Sequence, residues 1–184
     1  MSKLTPELKS WKASGEFARV DDVDIFYRCD ASGDRERPWL VCFHGFPTSS
    51  WDWHLLLPQL RKTHRVLVFD FPGYGLSGKP TDRSYSLKRQ LDAAEALLKV
   101  LDIREFDLLA HDMGNSVACE MLRRREQGNY PFELKAVTLL NGGIYMDMHR
   151  PLFTQRLLRT PLIGAISARV TSWRLFRLQY PRVY

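Results

Sequence analysis

Three features of the sequence predict a doubly wound α/β fold around a mostly parallel sheet. Short continuous apolar runs, of the kind that suits strands buried on both faces, recur along the chain. Segments with apolar residues at helical spacing lie between them. One alternating segment precedes them all, so the order reads hairpin, strand, helix, strand, helix, strand, helix, strand.

Phe17-Ala18-Arg19-Val20 and the stretch from Val23 to Cys29 alternate apolar and polar residues about Asp21-Asp22, which reads as an antiparallel hairpin. Trp39 to Phe43 is the first continuous apolar run and Arg65 to Phe69 the second. Between them, Ser49 or Ser50 can cap a helix running from about Trp51 to Leu60. Ser84 or Ser86 can start another, with Leu87, Leu91, Ala94, Leu98 and Leu101 on one face. Phe106 to Ala110 forms a third run, followed by a helix from about Asn115 to Arg125, and Ala136 to Leu140 forms a fourth. After Asn141 the sequence turns helical in pattern and rich in arginine. The expected organisation is therefore a sheet domain over residues 14–144 and a helical segment over 145–184.

With 184 residues, 45% of them hydrophobic and 26% charged, the chain can bury a real core. No apolar run approaches the roughly 18 residues of a membrane span, and Met1 to Lys12 lacks the apolar centre of a secretory signal. Cys29, Cys42 and Cys119 are too few and too scattered for a disulfide framework or a zinc site, so a reducing cytoplasm is the expected location. The net charge of +6 is unevenly spread. Seven arginines and no acid lie between Arg150 and Tyr184, leaving 20 basic against 21 acidic groups over residues 1–149. A near-neutral body with a basic tail gives no nucleic-acid surface in the main domain. The tail itself, with Trp173, Leu175, Phe176 and Leu178, can also be read as an amphipathic helix lying on a membrane surface.

Three motifs follow three successive sheet strands. They are His44-Gly45-Phe46-Pro47, Asp70-Phe71-Pro72-Gly73-Tyr74-Gly75-Leu76-Ser77 and Ala110-His111-Asp112-Met113-Gly114. The third has small residues two before and two after Asp112. A chain that turns sharply from strand into helix needs that room, and the turn lifts one side chain above the sheet. Ala110 and Gly114 supply the space and Asp112 takes the raised position. The same turn aims the backbone N–H of Met113 at whatever Asp112 attacks, and a second N–H from Phe46 would complete an oxyanion hole. A bland alternative exists for Asp112, since an aspartate after a strand is also a good helix N-cap. His44 reads as a structural hydrogen-bonding residue, and Phe46 and Met113 can be read as pocket lining. Gly73-x-Gly75-x-x-Gly78, with Asp92 at about the right distance, matches a dinucleotide-binding pattern, but Lys79-Pro80 follows where a helix should open. His111-Asp112 has no companion ligands spaced for a metal. No cofactor and no metal are expected.

These residues carry a resemblance. His44 to Trp53, Asp70 to Pro80, His111 to Glu120, and Leu140 to Ile144 with His149-Arg150-Pro151 are similar to the α/β-hydrolase superfamily. Within it the match is to the epoxide hydrolase and haloalkane dehalogenase branch, of the mesoderm-specific transcript type, over about Val23 to Arg159. The resemblance implies that Asp112 is a nucleophile, with Phe46 and Met113 as the oxyanion-hole N–H donors, and that residues 145–184 begin a helical cap packed over the active site. A carboxylate is already ionised at neutral pH, so it can attack a saturated carbon without a base and form an ester. Hydrolysing that ester needs a water activated by a histidine, itself oriented by an acid.

In the family that histidine follows the last sheet strand, and none of His44, His54, His64, His111 or His149 has that place. Some relatives carry the acid where Asn141 stands here. The expectation is thus an N-terminal part of an epoxide-hydrolase-like enzyme, a fragment whose final strands are absent, acting on a small apolar substrate such as an epoxide or ester. Loss of those strands would leave 136–140 as an exposed apolar edge prone to aggregation. Two alternatives stand beside it. One is a non-catalytic remnant that only binds. The other is a dehalogenase, against which counts the lack of an indole or amide side chain at Met113 and Phe46. Tyr145 and Tyr180 are candidate acids for a leaving oxygen.

Overall fold

The computed structural model describes residues 4–30, 36–143 and 160. The chain divides into two units, 1–144 and 145–184, and every described residue except Thr160 belongs to the first. The expected cap segment, His149, Tyr145, Tyr180 and the arginine-rich tail lie outside the described residues.

A six-stranded sheet forms the frame, with strands β1 (Glu16–Val20), β2 (Val23–Asp30), β3 (Trp39–Phe43), β4 (Arg65–Phe69), β5 (Glu105–His111) and β6 (Glu133–Leu140). Their order across the sheet is β1-β2-β4-β3-β5-β6. The hairpin β1/β2 is antiparallel and pairs antiparallel to β4, whereas β4, β3, β5 and β6 run parallel. The sheet is doubly wound, and the two faces explain the continuous apolar runs. In β3, Val41 and Phe43 join one core with Leu91, Leu97 and Leu98 of helix α3 (Leu87–Val100) and Val117, Ala118 and Met121 of helix α4 (Met113–Glu126). Leu40 and Cys42 of the same strand face a second core with Trp11, Trp53 and Leu57. Each of these strand residues is therefore buried, whichever way it points. At about 25 cal/mol per Å² of apolar surface, this two-sided burial is the main source of stability.

Helices α3 and α4 are also tied at their surfaces. Arg124 reaches Glu95 (2.8 Å) and Asp92 (2.7 Å) on α3 and Glu120 (3.4 Å) on its own helix. Asp92 is thus engaged in an ion pair between helices.

One local expectation changes, and one element appears that the sequence pattern does not announce. The helix expected over 51–60 is a 3-10 turn at Ser50–Trp53 followed by a one-turn helix α2 at Leu57–Leu60. Pro58 is the cause: it has no N–H to continue a helical ladder, and its ring conflicts with the carbonyl four residues earlier. Ser49 does cap, accepting a hydrogen bond from the Trp51 N–H. The polar N-terminus, which offers no apolar periodicity, forms helix α1 at Pro6–Ala13. Its signal is capping, because Thr5 accepts from the Leu8 N–H and Pro6 stands at the first helical position. Its single buried residue, Trp11, packs edge-on to Trp51 at 5.2 Å and under Arg28 at 4.8 Å.

Among the described residues, no helix is long and apolar enough to cross a membrane.

Candidate active site

The strand order fixes where a site can form. From β3 the chain moves to β4 on one side, and β5 then lies on the other side of β3. The loops leaving β3 and β5 consequently part in opposite directions at their carboxyl ends, opening a crevice there. His44-Gly45-Phe46-Pro47 and His111-Asp112 face each other across it. One hydrogen bond spans the gap: the Phe46 N–H donates to Asp112 Oδ1 at 2.9 Å.

The turn that carries Asp112 is strained and tightly packed. Asp112 has φ +50° and ψ −115°, in the region that favours glycine. Its N–H is held by the Leu140 carbonyl at 3.1 Å, and its own carbonyl accepts from the Asn115 N–H at 3.0 Å. Asn115 Nδ2 donates to the same Leu140 carbonyl at 3.2 Å. Small neighbours are a steric requirement. Ala110 is fully buried, and a Cβ on Gly114 would lie 2.6 Å from the Phe43 carbonyl oxygen. A Cβ on Gly45 would lie 2.8 Å from the Cβ of Asp112. Pro47 follows a cis peptide bond with Phe46.

The alternative role of Asp112 as a helix cap makes a geometric demand that is not met. Although Asp112 occupies the N-cap position of α4, its side chain makes no capping hydrogen bond to that helix. The carboxylate points instead to the β3 loop. Met113 begins α4, as the elbow requires.

His44 is a structural pin. Fully buried, it accepts from the Phe71 N–H at Nε2 (3.0 Å). Nδ1 must then carry the proton, which it donates to the Gly45 carbonyl at 2.8 Å. Burial pushes its pKa down from the ordinary 6.5. A depressed imidazole stabilises the fold above the unfolded value and loses that contribution as pH falls below about 6.5 toward the folded value. Urea unfolding at pH 7.5 and 5.5 should show the wild type losing more stability than His44→Asn over this interval. Parallel losses in both proteins would exclude the role.

The other histidines serve elsewhere. His54 stacks on Trp51 at 4.0 Å and contacts its carbonyl. His64 lies 3.3 Å from Asp107 and directly precedes β4, at the opposite end of the sheet from the crevice. His111 packs beside Gly45 and edge-on to Trp53.

The sequence singles out the motif from Asp70 to Ser77 without giving its residues roles, and the structure supplies them. Asp70 is buried, with Oδ1 accepting from the Ser50 N–H (2.7 Å) and Oδ2 from the Leu76 N–H (2.6 Å). Ser77 Oγ donates to the Asp70 carbonyl and accepts from Phe26 N–H of β2. The Gly73 N–H reaches the Gly78 carbonyl at 2.9 Å, so the glycines fold a loop onto its own carboxylate. The next helix does not start until Leu87. This is a side-chain-locked loop, without the helix N-terminus that a dinucleotide phosphate site needs. It holds Tyr74 in the crevice, edge-on to His44 at 5.4 Å and to Phe46 at 6.2 Å.

Comparison with known proteins agrees with this architecture. The alpha/beta hydrolase fold family matches residues 38–164. The mesoderm-specific transcript homolog protein of Bos taurus is 40% identical over 180 residues, covering 95% of this chain and 53% of that protein. A haloalkane dehalogenase of Mesorhizobium japonicum is 35% identical over 158 residues, 79% of this chain and 46% of the relative. The crystal structure of haloalkane dehalogenase DbeA from Bradyrhizobium elkani superposes with a TM-score of 0.72 at 29% identity, covering 84% of this chain and 53% of that one. The chain spans about half the length of the curated relatives it matches. With its sheet order, its turn at Asp112 and this match over most of its length, the chain belongs to the alpha/beta hydrolase fold family.

Proposed function

We propose that Asp112 is an alkyl-accepting nucleophile, and that this chain carries the first half of an epoxide-hydrolase-like reaction. The observation behind the reading is the orientation of the carboxylate. Asp112 sits on a strained strand-to-helix turn, leaves its own helix uncapped and offers Oδ1 to the Phe46 N–H. That contact leaves Oδ2 as the attacking oxygen. Its electron pair forms a bond to a saturated carbon while the bond from that carbon to its leaving atom breaks, and an ester of Asp112 results. Charge later develops on the ester carbonyl oxygen, where the N–H groups of Phe46 and Met113 would receive it.

Hydrolysis of the ester needs a base, and the described histidines do not offer one. His44 is locked by two hydrogen bonds, His54 is stacked on Trp51, His64 is at the far end of the sheet, and His111 is the interior residue of the elbow, packed beside Gly45 and Trp53. A matching histidine and acid would have to come from elsewhere in the protein. We assign the substrate to small apolar electrophiles, with epoxides favoured over haloalkanes because neither Phe46 nor Met113 has a side-chain N–H to hold a halide.

Incubation with 1,2-epoxyhexane tests the reading. Intact-mass spectrometry should show one added epoxide per chain, peptide mapping should place it on Asp112, and diol should not accumulate. Labelling confined to cysteines, or no labelling, would overturn the nucleophile. Steady diol production would overturn the separation of the two half-reactions.

A further inference from the structure

We propose that the molecule carries a second binding site, apart from the crevice, for a small uncharged alcohol or phenol. It lies where the turn of the β1/β2 hairpin, the loop after β4 and the first turns of α3 meet around a cavity of about 300 Å³. Asp112, Phe46 and Met113 are not among its walls. The inference is independent of the reaction assigned to Asp112.

Gln90 gives the cavity its chemistry. This residue of α3 lines the cavity and is only 1% exposed. Its amide has one orientation, because the Pro72 carbonyl can only accept, so the group facing it at 3.1 Å is Nε2. Oε1 is then the free end of the amide, with no partner among the described residues. A buried carbonyl without a donor is costly, and the groups around it do not relieve it. Val20, Val23, Pro72 and Ala93 offer apolar side chains. Tyr85, beside them, spends its hydroxyl on the Pro80 carbonyl and lays its ring against Gly73, where a Cβ would come within 2.7 Å of it. A single water is a poor occupant of such walls, since it needs about two to four polar partners. An apolar body ending in one O–H meets both demands: it covers the walls and gives Oε1 its donor.

The mouth decides the charge of the ligand. Arg83, Arg89, Asp21 and Asp92 border it. Arg83 holds Asp82 at 3.3 Å and, through Nη1, the Asp21 carbonyl at 2.9 Å. Asp92 is taken by Arg124 at 2.7 Å, and Arg89 acts on Asp82 through space. The arginines at positions 83, 89 and 124 thus meet the aspartates at 21, 82 and 92, and the opposing charges leave no net attraction for an ion. An anion or an ammonium group would also lose its water against apolar walls. The ligand is therefore neutral, and the hydrogen bond to Gln90 is what selects it.

Three probes separate these contributions at pH 7: p-cresol, 4-methylanisole and 4-hydroxybenzoate. The anisole keeps the ring and its oxygen but has no donor, and the benzoate adds a charge. Titrations of the full chain, followed by amide chemical shifts, should move Val20, Val23, Tyr85, Ala93 and the side-chain NH2 of Gln90. p-Cresol should bind about tenfold more tightly than 4-methylanisole, the usual worth of one hydrogen bond, and 4-hydroxybenzoate should bind no better than p-cresol. Gln90→Met keeps the bulk, removes the amide and should bring p-cresol and the anisole within about twofold of each other. Ala93→Leu fills the cavity from its wall and leaves the amide in place. It should weaken p-cresol at least about tenfold, and it carries the test if Gln90→Met does not fold. Equal affinities for p-cresol and the anisole in wild type would reduce the site to an apolar void and overturn the proposal. So would tighter binding of the benzoate, a preference for p-cresol that survives in Gln90→Met, or p-cresol affinity unchanged in Ala93→Leu. Shifts confined to Phe46, Tyr74 and Met113, or no shifts at all, would overturn it equally.

Discussion

Asp112→Asn should abolish covalent labelling by an epoxide, with a loss of at least about three orders of magnitude in rate, as befits removal of the proposed nucleophile. The substitution is nearly isosteric, and the asparagine oxygen can still accept the Phe46 N–H that Asp112 Oδ1 accepts at 2.9 Å. Geometry is retained while the negative charge and its available electron pair are lost. A second replacement separates catalysis from stability. Asp112 holds φ +50° and ψ −115°, a conformation that costs a non-glycine residue about 1–3 kcal/mol. Asp112→Gly should therefore be equally unreactive yet melt higher than wild type, by roughly 2–4 °C per kcal/mol for a chain of this size. Intact-mass kinetics and a thermal melt give both numbers. A glycine variant that melts lower would mean the Phe46 contact outweighs the backbone strain. Labelling retained in the asparagine variant would place the reactive group elsewhere.

Much of this fold could be read from the sequence because its strands are buried on both faces. Trp39–Phe43 and Arg65–Phe69 are continuous apolar runs, and their observed limits match those runs residue for residue. β6 was less legible, since the run read as a strand starts only at Ala136, after Lys135, while the strand begins at Glu133, where Glu105 of β5 pairs with it. α1 and the broken helix after Ser49 were illegible to periodicity for opposite reasons. The first buries a single tryptophan, and the second has suitable apolar residues interrupted by Pro58. At the site, the positions of Asp112, Ala110 and Gly114 followed from the sharp turn, which demands small residues at fixed spacing. Tyr74 could not be found that way. Its place depends on how a loop folds around Asp70, and that loop joins residues from β2, the Ser49–Ser50 turn and Lys79, none of which announces the others in sequence.

That dependence makes Asp70 the position where stability and site geometry meet. Asp70→Ala removes the acceptors of the Ser50 and Leu76 N–H groups, which lie 2.7 and 2.6 Å from a carboxylate only 1% exposed. Each buried donor left without a partner costs about 1–3 kcal/mol. Part of that loss is offset, because a buried charge no longer has to be desolvated. A net destabilisation of about 3 kcal/mol is expected, a large share of the total for a domain of ordinary stability, and urea denaturation followed by circular dichroism would measure it. Asp70→Asn keeps one acceptor but turns an NH2 toward the other N–H, so it should fall between wild type and alanine. Gly75 supplies an internal check. Its φ is +46°, and a Cβ there would collide with Asp70 Oδ2. Gly75→Ala therefore combines backbone strain and a close approach to Ser49 Cβ at 2.7 Å with a collision against Asp70 that is removed once Asp70 is alanine. The double variant should be less destabilised than the sum of the two singles, by the coupling of about 0.5–3 kcal/mol expected of residues in contact. Strict additivity, or an alanine at position 70 that unfolds within about 1 kcal/mol of wild type, the least that one orphaned donor costs, would show that the loop is held by its other contacts. Tyr74 would then owe its place to the ring packing against His44 and Phe46 and to its own hydrogen bonds with Phe71, Lys79 and Met113.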